Sequence, residues 1–216
     1  MTRKTFLCGI GLISSSLLLA AAMIAQDSNP SAPERPSRER PAPPVLDEAA
    51  VQAAWVAYAT PGSFHEQLKK KVGQWDLAVK WWPAPDAPPS ESTATSTIEL
   101  TMGGRFLLDR TTGSAFEGQP FEGMGVMGYD NHKKKFVSVW WDSMGTGVVT
   151  SEGTADREGT TITLLGQQPD MTTGRSKAVR TLETFIDADT WKVEMFDRAR
   201  DRTETKTFEI TYTRKK

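Results

Sequence analysis

Gly73-Gln74-Trp75-Asp76-Leu77-Ala78-Val79-Lys80-Trp81 is the stretch on which the fold turns. Trp75, Leu77, Val79 and Trp81 alternate with Asp76, Ala78 and Lys80, the two-residue period of a half-buried strand. Before Gly73 the period is helical. Ser63-Phe64-His65-Glu66 has the form of a capping box, in which serine and glutamate satisfy each other's backbone donors. Phe64, Leu68 and Val72 form the apolar side of a helix over 63–72, whereas Lys69 to Lys71 are read as a solvated face. That apolar side needs a partner, so the helix is expected to cover one end of whatever the strands build. Further upstream, Asp47 caps a helix running to about Ala59, with Val51, Ala54, Trp55 and Tyr58 on one face and Pro61-Gly62 as its stop.

Beyond Trp81, strands are predicted near 91–101, 105–116, 121–130, 135–142, 146–155, 160–167, 176–187, 191–198 and 203–214. Turn chemistry separates them: Gly103-Gly104, Tyr129-Asp130-Asn131-His132, Asp142-Ser143-Met144-Gly145, Asp156-Arg157-Glu158-Gly159 and Asp187-Ala188-Asp189. About ten short strands with no helix between them make an antiparallel meander. One open sheet of that size would leave two long edges, so the chain is expected to close into a barrel, 203–214 pairing with 75–82. The proline-rich loop Pro83 to Ser90 belongs at one mouth. On the last strand Phe208, Ile210, Tyr212 and Arg214 share a face. Closure would carry Arg214 to Trp75, where a guanidinium over an indole gains about 0.5–2 kcal/mol. Trp75 and Arg214 are therefore assigned a structural role in barrel closure.

The ends and the composition set the class. Met1-Thr2-Arg3-Lys4 is basic, Phe6 to Ala25 is uncharged, and alanines crowd the exit at Ala20, Ala21, Ala22 and Ala25. This is the layout of a secretory signal over 1–25, which implies export to the periplasm or the cell exterior. The alternative is an uncleaved membrane anchor, because about 20 apolar residues can span a bilayer. Residues 26–46 hold Pro30, Pro33, Pro36, Pro41, Pro43 and Pro44 among polar residues and read as a disordered tether to a domain over 47–216. The lone cysteine, Cys8, leaves with the signal, so the domain rests on an apolar core and not on disulfides. Without Arg3 and Lys4 the 26 basic residues fall to 24 against 27 acidic ones, which is no footprint for nucleic acid or an anionic membrane.

Catalytic and cofactor patterns are scarce. His65 sits in a capping box and His132 in a turn beside three lysines, so no cluster fits a metal, and no haem ligand or other cofactor is implied. There is no nucleophile elbow and no phosphate loop. The glycines at 123, 125 and 128 lie in a strand, where they imply close packing of a barrel wall. Polar residues sharing a face with apolar ones remain. Phe136, Ser138, Trp140 and Asp142 form one such face, and Arg180 sits with Ala178, Leu182, Thr184 and Ile186. A charge on an apolar face must be paired or reach a ligand or water. Glu194, alternating with Val193 and Met195, reads as a surface carboxylate. The candidate ligand contacts are accordingly Glu122, Tyr129, Trp140, Asp142 and Arg180, with at least one of Asp142 and Arg180 expected to point into the barrel. The methionines at 124, 127, 144, 171 and 195 suit a deformable cavity or plain core filling.

Seven blocks carry a family resemblance: His65-Glu66-Gln67-Leu68, Gly73-Gln74-Trp75, Gly103-Gly104-Arg105-Phe106, Pro120-Phe121-Glu122-Gly123, Gly128-Tyr129-Asp130, Trp140-Trp141-Asp142-Ser143 and Tyr212-Thr213-Arg214-Lys215. Over His65 to Arg214 the chain resembles a bacterial family of exported proteins known as domain of unknown function 1579. The resemblance implies a lipocalin-like (calycin-type) barrel, and Gly73-Gln74-Trp75 also looks like the lipocalin Gly-x-Trp. It implies no activity. The fold class expected is thus all-β, an antiparallel meander closed into a lipocalin-like barrel of about ten strands behind two short helices. Three functional readings follow from it. The first is a binding module holding a small, mainly apolar ligand. The second is a structural or accessory barrel with a filled core, working through its surface. The third is an enzyme using Asp142, Arg180 or Glu122 as a buried acid–base group.

Overall fold

The computed structural model describes residues 45, 47–115 and 118–216. The segments read as signal (1–25) and tether (26–46) lie outside these residues, Val45 apart. Two short helices, α1 (Glu48–Ala59) and α2 (Ser63–Leu68), come first, and α2 continues into a 3-10 turn over Lys69–Lys71. Ten strands follow: β1 (Gly73–Trp81), β2 (Ser90–Thr101), β3 (Phe106–Ser114), β4 (Pro120–Asp130), β5 (Lys135–Asp142), β6 (Val149–Ala155), β7 (Thr161–Asp170), β8 (Arg175–Phe185), β9 (Thr190–Arg198) and β10 (Glu204–Arg214). Each pairs antiparallel with its neighbours in sequence, and β10 pairs with β1 to close the barrel. In that closing register Trp75 lies opposite Arg214, Leu77 opposite Tyr212 and Val79 opposite Ile210. A bulge between Lys206 and Phe208 moves the inward-facing set of β10 from odd to even residues.

The barrel has two unlike ends. Helix α2 and the start of β1 stand at one, the lid end; the connections 82–89, 143–148, 171–174 and 199–203, with residues 115, 118 and 119, ring the other, the mouth. The core gathers under the lid, where Leu68, Trp75, Phe136, Ile162 and Leu164 are at most 2% exposed. Leu68 supplies the lid's plug, with Val72 packed beside it. Phe64 stays partly exposed but stacks on Tyr129, ring centroids 4.4 Å apart.

Two local readings change. The N-cap of α2 is Gly62, not Ser63, and its backbone N–H donates to His65 Nδ1 at 2.9 Å, so histidine takes the role expected of Glu66. His65 is buried against Tyr129 as a packing residue. Burial lowers its pKa, a hydrogen bond with the Tyr129 backbone only partly opposing, so the neutral imidazole that caps Gly62 is favoured. The apolar face expected on α1 has no cover among the described residues: none of its side chains is buried, and Trp55 is 62% exposed. Its C-terminus is nevertheless fastened. Arg105 donates to Ala59 O at 2.6 and 3.0 Å, and Asn131 Nδ2 reaches the carbonyls of Tyr58 and Thr60 at 3.0 and 2.8 Å. Those two turn residues supply the last carbonyls of a helix with the donors they lack.

Candidate functional site

Strand alternation and register assign each side chain a face. The inward set includes Trp75, Leu77 and Val79 on β1, Ser96 and Ile98 on β2, Leu107, Asp109 and Thr111 on β3, and Val179, Thr181 and Glu183 on β8. Of these, Trp75, Leu77, Ser96, Ile98, Leu107, Thr111 and Val179 are buried. Toward the mouth Trp81, Phe121, Trp140, Val149, Met195 and Phe208 also face inward, yet all keep accessible surface. Small residues stand between them: Ser92, Gly113, Ser138, Ser151 and Gly166. The inward side chains are therefore mostly buried at the lid and keep accessible surface toward the mouth. Trp140 lies against the β4 wall, because Gly123 and Gly125 leave room; a Cβ on Gly125 would sit 2.8 Å from its ring. A depression of about 340 Å³ at the rim is lined by Trp82, Pro85, Glu204, Thr205 and Lys206.

The floor of this cup is polar. Lys71 projects into it from the 3-10 turn, is 3% exposed, and makes an ion pair with Glu183. Its ammonium also lies 3.5 Å from Met127 Sδ and 4.4 Å from the centroid of the Trp191 ring. Beside it Asp109 Oδ1 accepts from Ser96 Oγ at 2.6 Å and from Thr111 Oγ1 at 3.0 Å. Burial pushes the Asp109 carboxyl above the usual range, against those two hydrogen bonds and the charge of Lys71. Tyr212, 5% exposed and stacked on Trp191 at 3.7 Å, has its phenol pushed well above the ordinary value, by burial first and then by Asp109 and Glu183. The Trp191 Nε1 N–H is buried without a hydrogen-bond partner among the described residues.

The residues proposed from sequence divide. Asp142 faces inward at the mouth and accepts from Trp140 Nε1 at 2.8 Å. Tyr129 also faces inward but at the lid end, beneath Phe64, so the barrel does not bring it to Trp140 and Asp142. Arg180 is a correction. It alternates with the buried Val179, pairs in register with Phe196, and stands on the outer wall in an ion pair with Glu204, its guanidinium 4.5 Å from the Phe196 ring. Glu122 is also outside, exposed, and opposite Thr112. The reading of Lys71 as solvated is overturned as well, because the tighter 3-10 turn rotates it off the wet face of the lid. Glu194 is on the outer wall as expected, 2.6 Å from Lys206 Nζ. Asp109 and Glu183 were missed. The signal for Glu183 was present, a charge among Val179, Thr181 and Phe185.

A closed ten-stranded antiparallel barrel with a helical lid at one end and a part-open, aromatic cup at the other defines the class of this protein. Residues 60–214 match the family described as protein of unknown function (DUF1579), and the chain belongs to that family. Among solved structures it is similar to the crystal structure of Rv2717c from M. tuberculosis, at 17% identity and a TM-score of 0.53, over 73% of this chain and all of that one. It also matches a de novo designed fluorescence-activating β-barrel, at 14% identity and a TM-score of 0.38, over 68% of this chain and 95% of that one. These likenesses concern the fold alone. A search of curated proteins returns no match.

Proposed function

We propose that this is an exported binding protein whose barrel takes up a small, mainly apolar ligand through the mouth. The export reading rests on the basic start and the uncharged stretch Phe6 to Ala25. The binding reading is carried by one observation: the inward aromatic and apolar side chains of the mouth half keep accessible surface although they face the lumen. A lumen evolved only as a core would bury its apolar side chains throughout, as Trp75, Phe136, Ile162 and Leu164 are buried toward the lid. Apolar walls with a few convergent polar groups are the ordinary make-up of a small-molecule site.

Nile red, a neutral apolar dye, is the test. The full chain should bind it with a blue shift and enhanced emission. Ser138→Trp, which places an indole in the lumen opposite Ser151, should weaken binding at least tenfold, whereas Arg180→Ala on the outer wall should leave it unchanged. No binding by the wild type, or equal binding by Ser138→Trp, would show that the cup holds no such ligand.

A further inference from the structure

We infer that the occupant of the barrel is an amphipathic organic cation, its ammonium taken by Asp109 and Glu183 on the floor and its apolar body lying against the aromatic mouth. This rests on the reading of the lumen as a binding cup and adds the charge of what enters it.

The floor is unbalanced. Lys71, Glu183 and Asp109 share it, which gives one cation for two carboxylates. Lys71 is committed to Glu183, with Met127 Sδ and the Trp191 face around the rest of its ammonium. Both hydroxyl donors to Asp109 converge on Oδ1, which leaves Oδ2 for a lumenal partner. Both acids face inward and keep accessible surface, so that surface belongs to the lumen. The Tyr212 phenol, on a side chain only 5% exposed, sits within the field of both carboxylates. Its oxygen can accept a second N–H of an ammonium group.

Other charge types fit less well. An anionic head would meet two acids, and the floor's cation is already paired. A neutral head would leave Asp109 without a counter-charge. Higher in the lumen, Lys177 and Asp197 pair with each other, so they do not offset Asp109. Asp142, at the mouth, adds a further carboxylate. The aromatic rings around the entrance present faces that attract cations.

The experiment displaces Nile red from the full-length protein with three ligands of one shape: 1-naphthylmethylamine, 1-naphthylmethanol and 1-naphthoate. The amine should bind at least tenfold more tightly than the alcohol, and the naphthoate most weakly. Asp109→Asn should bring the amine-to-alcohol ratio, each affinity measured in the variant itself, within threefold of one. Glu183→Gln should lower the same ratio, which provides a second test should the first variant unfold. Amine affinity should rise with pH as Asp109 ionises among Lys71, Glu183, Tyr212, Ser96 and Thr111, and the rise should be absent in Asp109→Asn. Equal affinities for amine and alcohol in the wild type, or preference for the naphthoate, would overturn the inference while Nile red binding still stood. Failure of Nile red itself would remove the cup reading, and the inference with it.

Discussion

Lys71→Ala should destabilise the protein by about 3–5 kcal/mol, measured by urea denaturation at neutral pH. The pair it breaks is enclosed, with the side chains of Lys71 and Glu183 only 4% and 12% exposed. Removing the ammonium leaves Glu183 and Asp109 facing each other across a low-dielectric floor with no cation between them. The stem of Lys71 also carries the lid's 3-10 turn into the barrel, so packing is lost along with charge. Lys71→Met separates the two effects by keeping the stem. Its deficit should shrink as pH falls, because protonating Asp109, whose carboxyl is raised by burial, removes its repulsion with Glu183. Lys71→Met with Glu183→Gln should recover part of the loss, since a buried pair replaced as a unit costs less than a pair cut in half. A Lys71→Ala protein as stable as wild type would show that the Lys71–Glu183 pair contributes nothing to the fold. Asp109 follows the same sign rule. Its carboxyl is raised by burial, so its cost to stability appears as pH rises from the ordinary carboxylate range through the folded value. Asp109→Asn should therefore flatten that part of the stability profile.

What could be read from the sequence was what period and turn chemistry encode. The alternation from Trp75 to Trp81 and the five turn clusters fixed the meander, and the edge problem of ten strands argued closure. Asp142 was readable because Phe136 and Trp140 share its face. Arg180 was misplaced for a physical reason: Ala178 and Leu182 give the outer wall of β8 an apolar look, and Phe196 and Glu204, from β9 and β10, cover the guanidinium there. No local pattern reports which face of such a strand turns inward. Lys71 was hidden by its neighbours. Three consecutive lysines read as a solvated face under a helical period, but the turn tightens to 3-10 at Lys69 and shifts the phase. Asp109 stands between Leu108 and Arg110, with Leu107 inward and Leu108 outward, so both faces of β3 look apolar. Its partners Ser96 and Thr111 become neighbours only once β2 and β3 pair.

Trp75→Ala should cost about 3–5 kcal/mol, the range for truncating a large buried aromatic, and Arg214→Ala should cost a comparable part of that. Trp75 is 1% exposed, donates from Nε1 to Lys71 O at 2.8 Å, and meets Trp191 and Tyr212 edge-on. Arg214 lies beneath it, its guanidinium 4.1 Å from the ring centroid. The same group donates to Val72 O at 2.8 Å, to Lys70 O at 3.1 Å and to Ala188 O at 3.2 Å, with Asp189 Oδ1 3.2 Å from Nε. It thus ties the lid turn, the head of β1 and the β8–β9 connection to the last strand. Gly73 holds φ of +140° and has no Cβ, and an added Cβ would strike Arg214 Nη1, so the guanidinium passes there only because residue 73 is glycine. Arg214→Lys keeps the charge but offers a point donor in place of a planar fork, so it should recover less than half of the loss caused by alanine. In a double-mutant cycle with Trp75→Ala the coupling should be about 0.5–2 kcal/mol, the magnitude of a guanidinium on an indole face. Zero coupling, or full rescue by lysine, would mean that Arg214 acts by charge alone. The base of the barrel would then be sealed by β1–β10 pairing and not by the stacked pair.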